Sequence, residues 1–366
     1  VMSKKYKVLI LGASYGSLLA SKLLMAGHAV SLVCRQNTAD LINSEGTRVR
    51  MPVKGREGLV EIDSRTLPGK LDAVTPESAQ PAQYDLVCLA MQEPQYSARG
   101  VRELMRAIAD AKVPCMSIMN MPPLPYLARI PGLDANGLRA CYHDASVWEH
   151  FEPGLMTLCS PDPQAFRPPE EKPNVLQVGL PTNFKVAGFA NPAHTAMLEQ
   201  MEADITGARL TVNGEALDLP VKLKVHDSIF VPLAKWAMLL TGNYRCVQAD
   251  GMRAIKDAVH SDLEQSREVY EWVVGLCVLL GASRDDMVPF DKYAAAGTGL
   301  LKPSSAARAL AGGSTDIERI DLLVKLVAEQ KGLCHGSVSE TVKLINSWLE
   351  RNRKAAAIHA VVAEAA

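Results

Sequence analysis

The chain has 366 residues, 48% of them hydrophobic and 22% charged, and a formal net charge of -1. That length suits two domains of about 100–200 residues each, and the near-even charge balance argues against a nucleic-acid or anionic-membrane partner. The longest apolar stretch, Trp272 to Ala282, is interrupted by Gly275 and falls short of the ~20 residues that a membrane-crossing helix needs.

The chain opens on Lys7-Val-Leu-Ile-Leu11, a charged residue before four apolar ones, which predicts a strand buried on both faces. Gly12-Ala-Ser-Tyr-Gly16 follows as a tight turn, then Ser17 to Ala26 as a helix closed by Gly27, then Ala29 to Val33 as a second strand. Strand, glycine turn, helix and strand within about thirty residues make a βαβ unit whose first turn offers N–H groups and a helix N-terminus to an anion. The implied ligand is a dinucleotide, held by Gly12, Ala13, Ser14, Tyr15 and Gly16. Against the pattern G-x-G-x-x-G the turn is one residue short, and Ser14 stands where the second glycine falls when counted from Gly12. No Asp or Glu ends the second strand to grip a ribose hydroxyl. Arg35 stands there and suits a 2′-phosphate, which favours NADP over NAD.

Further on, Ala39 to Gly46 reads as a short helix, Thr47 to Val60 as strand-like alternation, and Leu67 to Gln83 as a loop. Tyr84 to Met91 is a buried strand with Gln92, Glu93 and Gln95 at its carboxyl end, where ligands sit in an open α/β sheet. Ser97 to Ala111 reads as a helix, and Val113 to Met119 as a strand ending at Asn120, which either turns the chain before two prolines or contacts a ligand. Between Tyr142 and Lys172 prolines accumulate, marking a sheet extension or an insertion. Strands near 174–180 and 184–189 and a helix from Pro192 to Ile205 complete an α/β domain. We place this Rossmann-type dinucleotide-binding domain at 1–212, a linker at 213–220, an all-α substrate and dimerisation domain at 221–355, and an alanine-rich tail at 356–366. Helical periodicity runs over Ile229–Leu240, Arg253–Gly281, Asp316–Lys331 and Ser337–Arg353, with Thr315 and Glu318 as a capping box and Gly332 as a terminal cap.

The opening residues carry no basic n-region, apolar h-region and cleavage site, so we expect a cytoplasmic protein. Eight cysteines are scattered singly and eight histidines form no ligand-spaced cluster, so reduced thiols and no metal site are expected.

Four stretches together resemble the ketopantoate reductase (2-dehydropantoate 2-reductase) family. They are Gly16 to Arg35, Ser117-Ile-Met-Asn120, Leu233-Ala-Lys-Trp-Ala-Met-Leu-Leu-Thr-Gly-Asn243, and Ser304 with Thr315-Asp-Ile-Glu318. The resemblance covers most of the chain. It implies a Rossmann-type domain followed by a helical domain like the C-terminal one of 6-phosphogluconate dehydrogenase, and NADPH-dependent reduction of a 2-oxo acid. By the same likeness Arg35 matches the 2′-phosphate arginine, Asn120 lies near the nicotinamide, Lys235 is the catalytic lysine, and Asn243, Ser304 and Asp316 close the substrate site. A homodimer is compatible with it. The departures concern substrate: Gln92 stands where the family has a lysine, Leu239 where it has an asparagine, and Met121 where it has a glycine. Losing a cation and an amide argues for a larger or more apolar carbonyl than ketopantoate.

The chemistry follows from residue types. Positions 235, 239 and 243 share one stripe of a helix. In carbonyl reduction negative charge grows on oxygen while hydride arrives at carbon, and a positioned lysine serves both as cation and as general acid. Asp316 is a counter-ion for it, and Asn243 and Ser304 supply hydrogen bonds. His143-Asp144 and His226-Asp227 are neighbours in sequence and read as surface or core polar residues. Two other functions fit the pattern: a nucleotide-sensing protein without chemistry, and a reductase that makes a secondary amine.

Overall fold

The computed structural model describes residues 4 to 365, so Ala366 of the expected tail lies outside the described residues. The chain forms two compact units. One gathers residues up to Met91 with Gln95–Arg129 and Ser146–Pro232; the other gathers Gln92–Pro94, Ile130–Ala145 and everything from Leu233 on.

The first unit is built on an eight-stranded sheet in the order Leu223–His226, Phe184–Ala187, Met156–Ser160, Cys115–Ile118, Leu86–Leu89, Lys7–Leu11, Ala29–Val33, Lys70–Val74. All neighbours are parallel except Phe184–Ala187 against Met156–Ser160. The strand at the centre of the βαβ unit has Val8 to Leu11 fully buried, as a parallel strand covered on both faces requires. The helix Gly16–Met25 is buried along its whole length.

Three expectations change here. Lys70–Val74, inside the expected loop, is the outermost strand of the sheet; its alternation of charged and apolar residues hid it, and Asn43 holds it by bonding both the N–H (2.8 Å) and the carbonyl (2.9 Å) of Ala73. Arg48–Pro52 and Leu59–Asp63 form a hairpin in a second, four-stranded sheet with Val175–Leu180 and Gln164–Phe166, whose inner residues Val49, Met51, Ile62, Leu176 and Val178 join the core. The expected end of the α/β domain at 212 falls too early: the expected linker 213–220 begins within a small hairpin (Leu210–Val212 with Glu215–Leu217), after which Leu223–His226 pairs with Phe184–Ala187 and returns the chain to the sheet.

A buried lysine links the first helix to that return. Lys22, 1% exposed, donates to the carbonyls of Pro220 (3.0 Å) and Leu219 (3.5 Å), beside Val221, a β-branched residue held at φ 65°. Burial, then the Lys222 ammonium, lower its pKa to about 7; Asp218 opposes the shift and Arg209 adds to it. An unfolded lysine titrates near 10.5, so between these values the unfolded chain holds the extra proton and stability rises with pH. Urea denaturation should show wild type gaining on Lys22→Met by about 1.4 kcal/mol per pH unit from pH ~7 to ~10. A constant difference between the two would show that Lys22 is not neutral in the fold.

The second unit is helical, apart from a two-residue ladder of Val247–Gln248 with Gly251–Met252. Its helices are Ile255–His260, Leu263–Leu280, Phe290–Gly297, Ser305–Ala311, Ile320–Gln330 and Gly336–Ala365. The single helix expected over 253–281 is broken because Asp262 caps a new one, accepting from the N–H of Gln265 at 2.9 Å. The last helix continues through the stretch expected as a tail. Among the described residues no helix is long and apolar enough to cross a membrane, and no three His, Cys, Asp or Glu side chains gather as a metal would require.

Candidate active site

The glycine turn leaves the first strand at its carboxyl end. Gly12 sits at φ 103°, and a Cβ there would lie 2.6 Å from the Ala90 carbonyl oxygen and 2.8 Å from Met91 Cγ, so the backbone admits only glycine. A Cβ at Gly16 would lie 2.7 Å from Ile10 Cγ2, which makes this the glycine of close helix–strand packing. Between them the turn closes on its carbonyl side: the N–H groups of Ser17 and Leu18 donate to the carbonyls of Ser14 and Tyr15, each at 3.1 Å, and the Ser17 hydroxyl donates to Ser14 at 2.7 Å. The N–H groups of Ala13, Ser14, Tyr15 and Gly16 make no backbone hydrogen bond among the described residues, and no side chain caps the helix. The Tyr15 side chain is anchored within the unit, the hydroxyl donating to the Pro163 carbonyl at 2.6 Å and the ring meeting Phe184 edge-on.

Arg35 follows the second strand, exposed, as the residue before the helix Gln36–Glu45; its carbonyl accepts from the Thr38 and Ala39 N–H groups, and its side chain forms no hydrogen bond or ion pair among the described residues. Asn120 ends the Cys115–Ile118 strand, and its Oδ1 is buried without a hydrogen-bond partner among the described residues. Gln92, expected beside the cofactor, is exposed and falls in the helical unit with Glu93 and Pro94.

In the helical unit, Lys235 opens a short α-helical turn, Lys235–Met238, and is half-buried; Leu239 is buried and Asn243 half-buried. The expected stripe through 235, 239 and 243 is not regular, because Leu239–Asn243 is a π-helical turn. The Tyr293 hydroxyl donates to the Met238 carbonyl at 3.0 Å and fills the space where Gly242 would otherwise carry a Cβ, a side chain intruding on the helical ladder. Such widened turns are frequent at functional sites. Ser304 is buried and bonded within the unit: its hydroxyl donates to the Asn243 carbonyl at 2.6 Å and accepts from the Ala307 N–H at 3.2 Å as a helix cap.

Asp316 was expected inside a helix start, with Thr315 and Glu318 as a capping box. The helix begins only at Ile320, because the side chains before it bind elsewhere. Asp316 accepts from Thr315 Oγ1 (2.9 Å) and from an Arg353 guanidinium nitrogen (3.1 Å), and lies 3.0 Å from His143 Nδ1. Burial opposes its ionisation, but these bonds outweigh burial and hold the carboxyl below the usual range. Glu318 Oε1 accepts from the Glu93 N–H at 3.2 Å. The Glu93 carboxylate, 3% exposed, accepts in turn from the His143 N–H at 3.1 and 3.2 Å, and burial pushes its pKa up to about 7. Glu93, His143 and Asp316 thus lie together, and of the two carboxyls Glu93 can hold a proton near neutrality while Asp316 stays ionised. The sequence marked Glu93 only as polar at a strand end and left His143 and Asp144 as surface or core polar residues.

No family model and no curated protein matches the chain by sequence. Solved structures of ketopantoate reductases match by fold. The Probable 2-dehydropantoate 2-reductase panE of Bacillus subtilis superposes with a TM-score of 0.61 at 14% identity, covering 93% of this chain and 99% of its own. The PanE/ApbA family ketopantoate reductase of Ralstonia eutropha gives 0.58 at 14%, covering 95% and 99%. The dimeric ketopantoate reductase of Staphylococcus aureus gives 0.56 at 11%, covering 94% and 99%. The chain therefore has the ketopantoate reductase fold: a Rossmann-type sheet unit with a helical unit, in the same order.

Proposed function

We propose that this chain is an NADP(H)-dependent reductase of a 2-oxo acid or related carbonyl, with Lys235 as general acid. The observation that carries the reading is the glycine turn at the carboxyl edge of the sheet, closed on its carbonyl side and left with unpaired N–H groups at an uncapped helix. The residues present fit a nicotinamide dinucleotide. The turn from Gly12 to Gly16 would hold the pyrophosphate, Arg35 the 2′-phosphate, and the orphaned Asn120 Oδ1 an amide donor of the nicotinamide end. When bound, that cofactor supplies the hydride. Lys235 holds a proton at Nζ, attracts the charge growing on the carbonyl oxygen and passes the proton to it. Asn243 remains the polar contact to substrate, and the buried apolar Leu239 favours a larger or less polar carbonyl than ketopantoate. Asp316 serves as a positioning residue that holds the His143 imidazole, rather than as the lysine's counter-ion.

A second reading, nucleotide sensing without chemistry, is favoured by one observation: the groups expected to meet substrate at Ser304 and Asp316 are engaged within the protein. Fluorescence titration followed by NADPH oxidation over a panel of 2-oxo acids, with and without an amine co-substrate, separates the readings. We expect NADPH to bind at least tenfold more tightly than NADH, and Arg35→Ala to lose that preference by weakening NADPH about 10- to 100-fold, the worth of a charged hydrogen bond. Turnover without amine supports the carbonyl reductase, turnover only with amine the secondary-amine reductase, and tight binding with no turnover the sensor. No binding of either nucleotide rejects all three.

A further inference from the structure

We infer that the Tyr15 side chain is a positioning group for the dinucleotide: partly buried, it clamps a phosphate-binding turn that is too short to fix its own shape. This rests on the cofactor reading above and adds a side chain that acts without touching the ligand.

The argument begins with length. The turn from Gly12 to Gly16 lacks one residue of the usual pattern and has a serine in place of the glycine that lets backbone approach a pyrophosphate. Its first end is fixed by the Gly12 N–H donating to the Val33 carbonyl at 3.1 Å, and its last by the packing of Gly16 on Ile10. The three residues between carry the N–H groups that an anion would need, and hydrogen bonds hold only the carbonyl side of the turn. Tyr15 supplies a lateral anchor. Its hydroxyl donates to Pro163 at 2.6 Å and its ring packs edge-on against Phe184, with centroids 6.0 Å apart. The anchor point is itself held: the Asp162 N–H donates to the Ser160 carbonyl at 3.0 Å, the Ser160 hydroxyl donates to the Asp162 carboxylate, and Lys185 Nζ lies 3.6 Å from that carboxylate. Burial raises the phenol's pKa, so the hydroxyl remains a donor throughout the neutral range. The clamp therefore joins the nucleotide turn to the ends of two strands, Met156–Ser160 and Phe184–Ala187, on the far side of the sheet.

A residue that shapes the turn acts on the part of the ligand that NADPH and NADH share, whereas Arg35 acts on the part that distinguishes them. Tyr15→Phe removes the hydroxyl and keeps the ring, so it should fold. Titrating wild type and Tyr15→Phe with NADPH and NADH, we expect both affinities to fall by the same factor, about five- to tenfold for one hydrogen bond, with the preference for NADPH unchanged. Thermal melting checks the alternative that the bond only supports the fold. Wild-type affinities in Tyr15→Phe, with or without a lower melting temperature, overturn the proposal. So does a loss confined to NADPH, or tighter binding, which would make the ring an obstacle rather than a clamp. Wild-type protein that binds neither nucleotide rejects the cofactor reading itself and the role of Tyr15 with it.

Discussion

Lys235→Met should lower kcat/KM for carbonyl reduction by roughly 10²–10⁴-fold, the usual contribution of a positioned general acid, while leaving NADPH affinity unchanged. Methionine preserves an unbranched apolar stem in a half-buried position and removes only the ammonium, so packing of the short Lys235–Met238 turn is retained. The measurement is NADPH oxidation with the substrate that wild type turns over best, together with a nucleotide titration of the same variant. Lys235→Arg is the informative companion: it keeps the cation but cannot release a proton at neutral pH, so it should recover binding of an acidic substrate and little turnover. Full turnover in Lys235→Met would remove the lysine from the mechanism, whatever the fold.

The second large effect is on stability. Arg319 and Asp321 form a two-point ion pair in the helical unit, Nε to Oδ1 and a terminal nitrogen to Oδ2, each at 2.9 Å, with the carboxylate fully buried and the guanidinium 13% exposed. Arg319→Met strands a buried carboxylate and should cost about 3–5 kcal/mol in urea denaturation, whereas Arg319→Met with Asp321→Leu should recover most of it. The sign of the pH dependence is also fixed. Without the guanidinium, Asp321 would be protonated in the fold at pH values where the unfolded chain is ionised, so the variant should lose stability as pH rises from 5 to 8. A single variant as stable as wild type would mean that water reaches Asp321. The pair matters to the candidate site because Tyr244, which donates to the Glu318 carbonyl at 2.6 Å and accepts from the Ile320 N–H at 3.0 Å, fixes the same segment that carries Asp316.

The parts of this chain that were legible from sequence are those whose partners lie close in sequence. Gly12, Gly16 and Gly27 are needed by backbone turns a few residues long, and the two flanking strands are recognisable by burial alone. Arg35 and Asn120 were placed correctly at strand ends because the strands were. The edge strand at Lys70–Val74 was missed because a short strand flanked by prolines, with charges at alternate positions, resembles a loop. The π-helical turn after Met238 depends on Tyr293, 55 residues away, and the partnership of His143 with Asp316 spans 173 residues; neither leaves a local pattern. Ser304 shows the converse. A serine ahead of an alanine-rich helix is a ready cap, and its hydroxyl takes that ordinary role.

Asn43 has a bearing on assembly. Its carboxamide mimics a neighbouring backbone along the outermost strand, occupying the amide and carbonyl of Ala73 that another polypeptide would use for docking by strand addition. Strand addition along that margin is thereby discouraged at its centre, because the peptide groups it would need at Ala73 are already taken.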